Sequence, residues 1–384
     1  MISKRNMREI FMLLPFCTFV FGGIPFSSKL STVLEIYKLL VVCYFIYTYK
    51  IKKSDFNALV VLGLLYEISY LIPAVLSGNL TLRTFYLWFK EVYTIVGLLI
   101  VISRLLKNDY LRTIKNIYHM LAMVIIVHIV CVITAGYSLL GIRTRFGDSF
   151  TVAIILLLVY KELSGDKNTI FDFIFVLLSG YYIVSQWIST MVLLGILLIA
   201  MYVWGNSKII SKFMKYTEIV VGGVLLNFSI VFLRIQNVFK PIIVDLLHED
   251  LTLNNRTVIW DQVFLDMLHN NIFLGAGITG ENTKDVHVAV YNEYGYLLMG
   301  DRQAHNQLLS VLYWNGIGGL LMYLAMIIIA GKNLKYMGNR KVRAFFCIGM
   351  LLILLSMITE LSADGTFFIM FLASMYFVNY AECV

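Results

Sequence analysis

Apolar residues run through most of this chain in stretches of membrane-spanning length, and short polar segments separate one stretch from the next. A helix needs about 20 mostly apolar residues to cross the hydrocarbon core of a bilayer. The pattern therefore predicts an all-α, polytopic membrane protein with about twelve transmembrane helices, forming one integral membrane domain over residues 1–384. The predicted ranges are 9–26, 31–50, 57–76, 84–106, 117–140, 146–161, 168–184, 186–204, 216–236, 304–331, 342–360 and 363–381.

One long segment, residues 237–303, interrupts this series before the tenth predicted helix. Its mixed composition predicts a large loop that folds in water. Within the loop, Asn254 and Asn255 favour the start of a helix, and residues near 255–269 repeat with helical periodicity. Four apolar side chains fall on one face of this amphipathic helix, which we expect to dock by that face: Ile259, Trp260, Val263 and Met267.

Composition and charge agree with a membrane protein of defined orientation. A chain that is 60% hydrophobic and 14% charged cannot cover the surface of a soluble globule of 384 residues. With the N-terminus inside, the predicted cytoplasmic segments hold 20 of the 31 Lys and Arg residues, as the positive-inside rule requires. Both termini are then cytoplasmic and the long loop is extracytoplasmic. The net charge of +8 is explained by orientation, and no nucleic-acid partner is expected.

The five cysteines show no close pairing that would indicate a disulfide framework or a zinc site. We also find no carboxylate cluster with convincing metal-ligand spacing in the outer loops, so neither a metal nor another cofactor is predicted. A Gly-x-Gly-x-x-Gly pattern at Gly275, Gly277 and Gly280 follows a helix instead of a strand and lies in an outer loop. It therefore predicts a flexible turn and not a nucleotide site.

Arg256 is the first candidate for chemistry. It lies in the first turn of the loop helix, on the apolar face, where the helix dipole disfavours a cation. An anion such as phosphate or pyrophosphate between the arginine and the helix end would accept hydrogen bonds from both. The alternative is an arginine that reaches lipid headgroups or pairs with an acid such as Asp245 or Glu249.

His305 is the second candidate. It opens the tenth predicted helix on the face that carries Gly316 and Gly319, glycines that mark a close helix contact. The histidine is therefore predicted to point into the bundle at its outer mouth, beside Arg302, where a general base is one interpretation. A buried histidine bonded to a carbonyl group is the other.

Several ionisable residues fall in the outer half of predicted spans, and charges there usually line a polar cavity or pair with one another. The sequence leaves the two interpretations open. The residues are Glu35, Lys38, Glu67, Lys90 and Glu91.

Four motifs in a fixed order then carry a resemblance. The chain resembles the bacterial O-antigen ligase and O-antigen/capsular polysaccharide polymerase superfamily over residues 254–320, with a weaker similarity in the loop after the fifth predicted span. The motifs are Asn255-Arg256…Trp260, Phe273-Leu-Gly275-Ala-Gly277, Ala304-His305-Asn306-Gln-Leu-Leu and Trp314-Asn-Gly316-Ile-Gly-Gly319, and the weaker one is Arg143-Thr-Arg145-Phe-Gly147.

The resemblance implies a membrane glycosyltransferase at the outer face of the bacterial cytoplasmic membrane. Its donor would be an oligosaccharide on undecaprenyl pyrophosphate, and it would use no metal and invert the anomeric carbon. Catalysis would fall to His305 and Arg256. Binding of the pyrophosphate and the glycan would fall to five further residues: Arg143, Arg145, Arg302, Asn306 and Trp260.

Within this class a repeat-unit polymerase is favoured over a ligase that uses an outer-core lipid acceptor, and a lipid-linked glycan flippase or transporter is a further alternative. Membrane lipids, a chain-length regulator and a flippase are the expected partners. The family often carries Ser-Arg near the middle of the chain, where this sequence has Ser185-Gln-Trp. Arg143, Arg145 or Arg234 would then have to supply the missing cation.

Overall fold

The protein is described from a computed structural model, which covers the chain in ten segments and two isolated positions. The described residues are 4–17, 27–50, 52–140, 143–185, 195, 199, 215–246, 256–269, 271–278, 286–291, 297–358 and 365–381. The eighth predicted span, 186–204, lies almost entirely outside them.

The described chain is helical apart from one hairpin. The helices of the first half are α1 (Lys4–Leu13), α2 (Ser27–Tyr49), α3 (Ala58–Leu76), α4 (Leu82–Asn108), α5 (Tyr110–Ala135), α6 (Arg143–Ser164) and α7 (Ile170–Ser185). Those of the second half are α8 (Tyr216–Leu233), α9 (Arg256–His269), α10 (Gln307–Ala330), α11 (Arg340–Ser356) and α12 (Thr366–Tyr376). The predicted helical class is confirmed.

Six helices among the described residues are long and apolar enough to cross a membrane: α2, α3, α4, α5, α8 and α10, the last counted together with a short 3₁₀ extension to Tyr336. Helices α7 and α12 are apolar but shorter. The chain is therefore a multi-pass membrane protein, while the count of twelve spans stays a prediction.

The first predicted span differs in its helical part. Helix α1 ends at Leu13 and passes into a 3₁₀ turn, Leu14–Phe16, that contains Pro15. Proline has no backbone N–H and its ring clashes with the preceding turn, so it kinks or ends an α-helix, and here the α-helix ends before it. Residues 18–26 lie outside the described segments.

The long loop, residues 237–303, contains a two-stranded antiparallel sheet that was not predicted from the sequence. Strand β1 (His287–Tyr291) pairs with β2 (Leu297–Gln303), with His287 opposite Gln303 and Val288 opposite Arg302. The β-branched residues of β1 suit a strand, but a five-residue strand is too short for its alternation to stand out among long apolar runs. The hairpin leads directly into α10.

Among the described helices, α10 packs most extensively against α3. It is interrupted at Gly316, whose φ of 65° and ψ of −172° are not helical. Asn315 precedes the interruption and donates from Nδ2 to the Tyr66 carbonyl at 3.1 Å and to Ser69 Oγ at 3.1 Å. The two helices are thereby joined at the level of the break.

The turn 271–278 fills this break. Ala276 and Gly277 donate their N–H groups to the carbonyls of Tyr313 and Trp314 at 2.8 and 2.9 Å, and Ile317 N–H donates to the Ile272 carbonyl at 3.2 Å. Backbone groups that lose their helical partners in a membrane protein must be satisfied elsewhere, and here the loop supplies the replacements. The turn is predicted to be flexible. In the structure its backbone is hydrogen-bonded to that of α10.

Candidate functional site

Helix α9 docks on the bundle by the face that its periodicity predicts. Ile259, Trp260, Val263 and Met267 are all buried, whereas Asp261 is exposed. Burial of four apolar side chains supplies the free energy that holds a loop helix against the membrane domain. Because the helix is docked, the position of its N-terminal turn, which contains Arg256, is fixed relative to the bundle.

One side chain of α9 connects this helix to the histidine. Trp260, which is 1% exposed, donates its indole N–H to the Ala304 carbonyl at 2.6 Å. The N–H of Ala304 in turn donates to the Val286 carbonyl at 2.9 Å. Both backbone groups of Ala304 are thus held, and the residue that follows it is His305.

His305 lies in the joint between β2 and α10. Its φ is +46°, the left-handed region that non-glycine residues seldom adopt. Its side chain is half-buried. A residue keeps such a conformation only where its surroundings impose it, and here the flanking residues 304 and 306 are both anchored.

Asn306 is the N-cap of α10 and has no exposed surface. Its Oδ1 accepts from Leu309 N–H at 2.8 Å, and its Nδ2 donates to the Ile358 carbonyl at 2.9 Å and to Asn227 Oδ1 at 3.3 Å. The side chain therefore caps the helix and links it to α8 and to the end of α11. A direct contact between Asn306 and the glycan stays a prediction, as does one from Trp260.

Arg234 lies at the same end of α9, and from the sequence it is only one of three candidates to replace the missing mid-chain arginine. It is the C-cap of α8, and its Nη2 donates to the Thr257 carbonyl at 2.8 Å and also contacts the Asp261 carboxylate. Its guanidinium lies 5.6 Å from the centre of the Trp260 ring, within cation–π range. Its position at the junction of an apolar span and the loop was the only sequence signal.

The Arg234 side chain therefore contacts the first turn of α9, the turn that contains Arg256, because Thr257 directly follows Arg256. Nη1 of Arg234 is buried and has no hydrogen-bond partner in the part of the chain that the structure describes. The Asp261 carboxylate balances the charge of Arg234. Arg256 is partly buried. The N-terminal end of α9 therefore combines helix N–H groups with two arginines.

The backbone positions of the other predicted arginines are known, and their side chains lie outside the described atoms. Arg143 begins α6 and Arg145 follows in its first turn. Arg302 lies in β2, opposite Val288 and three residues before His305. Among the residues described, no three histidine, cysteine, aspartate or glutamate side chains are grouped so as to hold a metal ion, and metal independence stays a prediction.

Three of the charged residues that the sequence places inside spans pair with one another. Glu35 Oε1 lies 2.8 Å from Lys38 Nζ and 3.5 Å from Lys90 Nζ, and Tyr93 donates to Glu35 Oε2 at 3.0 Å. Of the two interpretations that the sequence left open, structural pairing accounts for Glu35, Lys38 and Lys90, and both interpretations stay open for Glu67 and Glu91.

The comparisons with known proteins agree with the predicted resemblance. The sequence model of a family described as O-antigen ligase matches residues 150–324. This range contains Arg234, α9, the hairpin, His305 and most of α10, and it begins after Arg143 and Arg145. No curated protein and no solved structure matches the chain.

Proposed function

We propose that the protein is a membrane glycosyltransferase that transfers oligosaccharides from undecaprenyl pyrophosphate at the outer face of the bacterial cytoplasmic membrane. Two findings support this: the family match over residues 150–324 and the hydrogen bond from Trp260 to Ala304. That bond ties the arginine-bearing helix end to the residue before His305. It is the observation on which the proposal chiefly rests.

In this proposal the N-terminal end of α9 receives the pyrophosphate. Helix N–H groups and guanidinium groups both donate to phosphate oxygens, and arginine can do so through two parallel bonds. Arg256 and Arg234 would hold the donor there, and Arg143, Arg145 and Arg302 would complete the contacts. As the glycosidic bond breaks, these donors stabilise the charge that develops on the leaving pyrophosphate.

His305 would act on the acceptor. A hydroxyl oxygen of the acceptor sugar attacks the anomeric carbon, the bond from that carbon to the pyrophosphate oxygen breaks, and the hydroxyl proton passes to the imidazole. Undecaprenyl pyrophosphate leaves, and the configuration at the anomeric carbon inverts. Asn306 and Trp260 would keep the imidazole in place through the contacts that they make on either side of it.

Repeat-unit polymerisation is our first candidate, and ligation to an outer-core lipid is the second, since the matching family is described as O-antigen ligase. The family match gives no support to a flippase. We further propose twelve spans with both termini cytoplasmic, and a flippase and a chain-length regulator as partner proteins.

The test is the surface glycan of a strain that lacks the gene, separated by gel electrophoresis. Single repeats on the acceptor identify a polymerase, and full-length chains left on undecaprenyl pyrophosphate identify a ligase. Accumulation of donor that has not crossed the membrane would contradict the proposal.

Variants of Arg256 in the complemented strain connect the activity to the site. Arg256→Ala should abolish transfer while the protein still inserts and accumulates. Arg256→Lys should restore it only in part, because an ammonium is a point charge without the planar fork of the guanidinium. Near-normal transfer by the alanine variant would assign Arg256 to headgroup contacts.

A further inference from the structure

His128 in α5 makes contacts on both sides of the segment that carries Arg143 and Arg145. It is 1% exposed, and its Nδ1 accepts hydrogen bonds from the N–H groups of Leu139 and Leu140 at 3.1 and 3.2 Å. These two residues are the last ones described before α6, which begins at Arg143.

The same ring contacts the far side of the segment. Phe146, the residue after Arg145, has its ring centre 5.6 Å from that of His128 and is fully buried. Tyr182 of α7 completes the cluster, with its ring centre 4.7 Å from that of Phe146 and its hydroxyl 3.3 Å from His128 Nε2. We call His128, Phe146 and Tyr182 the clamp.

The clamp sets the depth at which α6 begins. Helix α5 ends at Ala135, where Gly136, with a φ of 67°, reverses the chain direction. His128 is seven residues before that end, which is about 10 Å along a helix axis. Because Leu139, Leu140 and Phe146 all contact His128, the first turn of α6 lies beside α5 at the level of His128 and not at the end of α5.

The bonding pattern also specifies the state of the ring. An imidazole nitrogen that accepts two N–H donors carries no proton, so the proton of the neutral ring lies on Nε2, which faces Tyr182. No aliphatic side chain supplies an acceptor there, and two buried backbone donors without one are costly.

We propose that His128 is a positioning residue that, together with Phe146 and Tyr182, places Arg143 and Arg145 at the pyrophosphate of the donor. This inference rests on the proposed function, because it takes these two arginines as pyrophosphate ligands. The clamp explains how a span-embedded histidine serves a reaction in which it does not take part.

Asparagine and leucine at position 128 form a matched pair of nearly equal shape. His128→Asn keeps an acceptor on the same Cγ that carries Nδ1, and His128→Leu has a methyl group there. The double variant Arg143→Ala/Arg145→Ala gives the effect of losing the arginines themselves. Tyr182→Phe removes only the hydroxyl next to Nε2.

The probe is undecaprenyl pyrophosphate, whose dissociation constant is measured on the purified full chain in detergent. We expect His128→Leu to weaken binding about tenfold or more, as befits the loss of an acceptor for two donors, and His128→Asn to stay within about threefold of the wild type. Equal binding by the Leu variant and the wild type would overturn the inference, as would equal losses in both variants. If the Leu variant does not accumulate, His128→Phe replaces it, with the same expected result.

The rate of limited digestion with trypsin tests, in the absence of ligand, whether the clamp holds the start of α6. We expect cleavage after Arg143 or Arg145 to be slow in the wild type and the Asn variant and faster in the Leu variant. Faster cleavage together with unchanged binding by the double arginine variant would leave the clamp in place and remove these arginines from the proposed function. Unchanged cleavage in the Leu variant would remove the clamp.

Discussion

At the residue scale, the site depends on how the ends of His305 are held. Ala304 before it is bound by Trp260 and Val286, and Asn306 after it caps α10 and reaches two other segments. The left-handed backbone at position 305 is compatible with these anchors and with few side chains other than asparagine, aspartate and histidine. The backbone geometry at His305 therefore depends on its neighbours as much as on the histidine itself.

His305→Asn is the informative substitution, because asparagine tolerates the left-handed backbone and cannot act as a base. We expect glycan transfer to fall by about 10²–10⁴, the usual contribution of a general base. Binding of undecaprenyl pyrophosphate and accumulation in the membrane should be unchanged. A variant that retains most of its activity would show that His305 acts through hydrogen bonding alone.

The metal dependence of the wild-type rate gives a second test of the proposed chemistry. A chelator should have no effect on the rate. Inhibition by the chelator would point to a metal site and against the proposed chemistry.

Trp260→Phe tests the positioning of that histidine. The smaller phenyl ring leaves part of the buried space empty, and the Ala304 carbonyl loses its donor; a buried unsatisfied carbonyl costs about 1–3 kcal/mol. A displacement of about 1 Å at the reacting groups can lower a rate about 10²-fold, so we expect transfer to fall by up to that factor.

The control for Trp260→Phe is Trp88→Phe in α4, which removes an indole bond of the same kind, from Nε1 to the Glu67 carbonyl at 2.7 Å. Thermal unfolding in detergent and glycan transfer are measured for both. Equal losses of transfer would mean that Trp260 contributes general stability and no positioning.

At the element scale, α10 and the turn 271–278 form one unit. The helix is broken at Gly316, and the backbone of the turn supplies the partners that the break removes. Helix α9 immediately precedes the turn, so the break in α10 also determines where α9 docks.

Gly316→Ala should disrupt this unit. A Cβ at position 316 would lie 2.3 Å from the Phe273 carbonyl oxygen, and the backbone there has positive φ. Such strain costs about 1–3 kcal/mol. The clash adds to this cost, because the neighbouring backbone atoms cannot move without disrupting the turn. We expect a lower midpoint of thermal unfolding and a loss of transfer.

Gly318→Ala provides the control on the same helix, because a Cβ at that position has open space around it. It should be neutral or stabilise the helix by up to about 1 kcal/mol. Comparable destabilisation by the two variants would show that the helix break has no special requirement for glycine.

At the scale of the whole molecule, the proposed chemistry requires the outer loop to face away from the cytoplasm. Basic residues fall in every predicted inner segment, and the six helices of spanning length agree with a multi-pass protein. The family match extends over residues 150–324. The first five helices lie outside this range.

Reporter fusions test this orientation. Reporters placed after residues 110, 210 and 338 should read cytoplasmic, and one near residue 285 should read outside; positions 210 and 285 lie outside the described segments. The activity of an enzyme that works only on one side of the membrane is the measurement. A cytoplasmic signal at 285 would remove the proposed reaction from the outer face.

The amino-acid sequence by itself determined the features that depend on local pattern. Membrane-length apolar runs identified the helical class, and a 3.6-residue period identified α9 together with its buried face at Ile259, Trp260, Val263 and Met267. Such features are readable because burial repeats along a single element. The resemblance to the O-antigen ligase family was likewise carried by local motifs and is confirmed over residues 150–324.

Only the tertiary structure decided what the polar groups bind. The indole of Trp260 donates to the Ala304 carbonyl, 44 positions away along the chain. Asn306, the N-cap of α10, donates to Asn227 in α8. The His128 imidazole accepts a hydrogen bond from Leu139, in a segment that folds back on the same helix. Hydrogen bonds form between whichever groups packing brings within about 3 Å, and no periodicity in a sequence encodes that distance. The residues that hold the site in place were therefore visible only once the helices had been assembled.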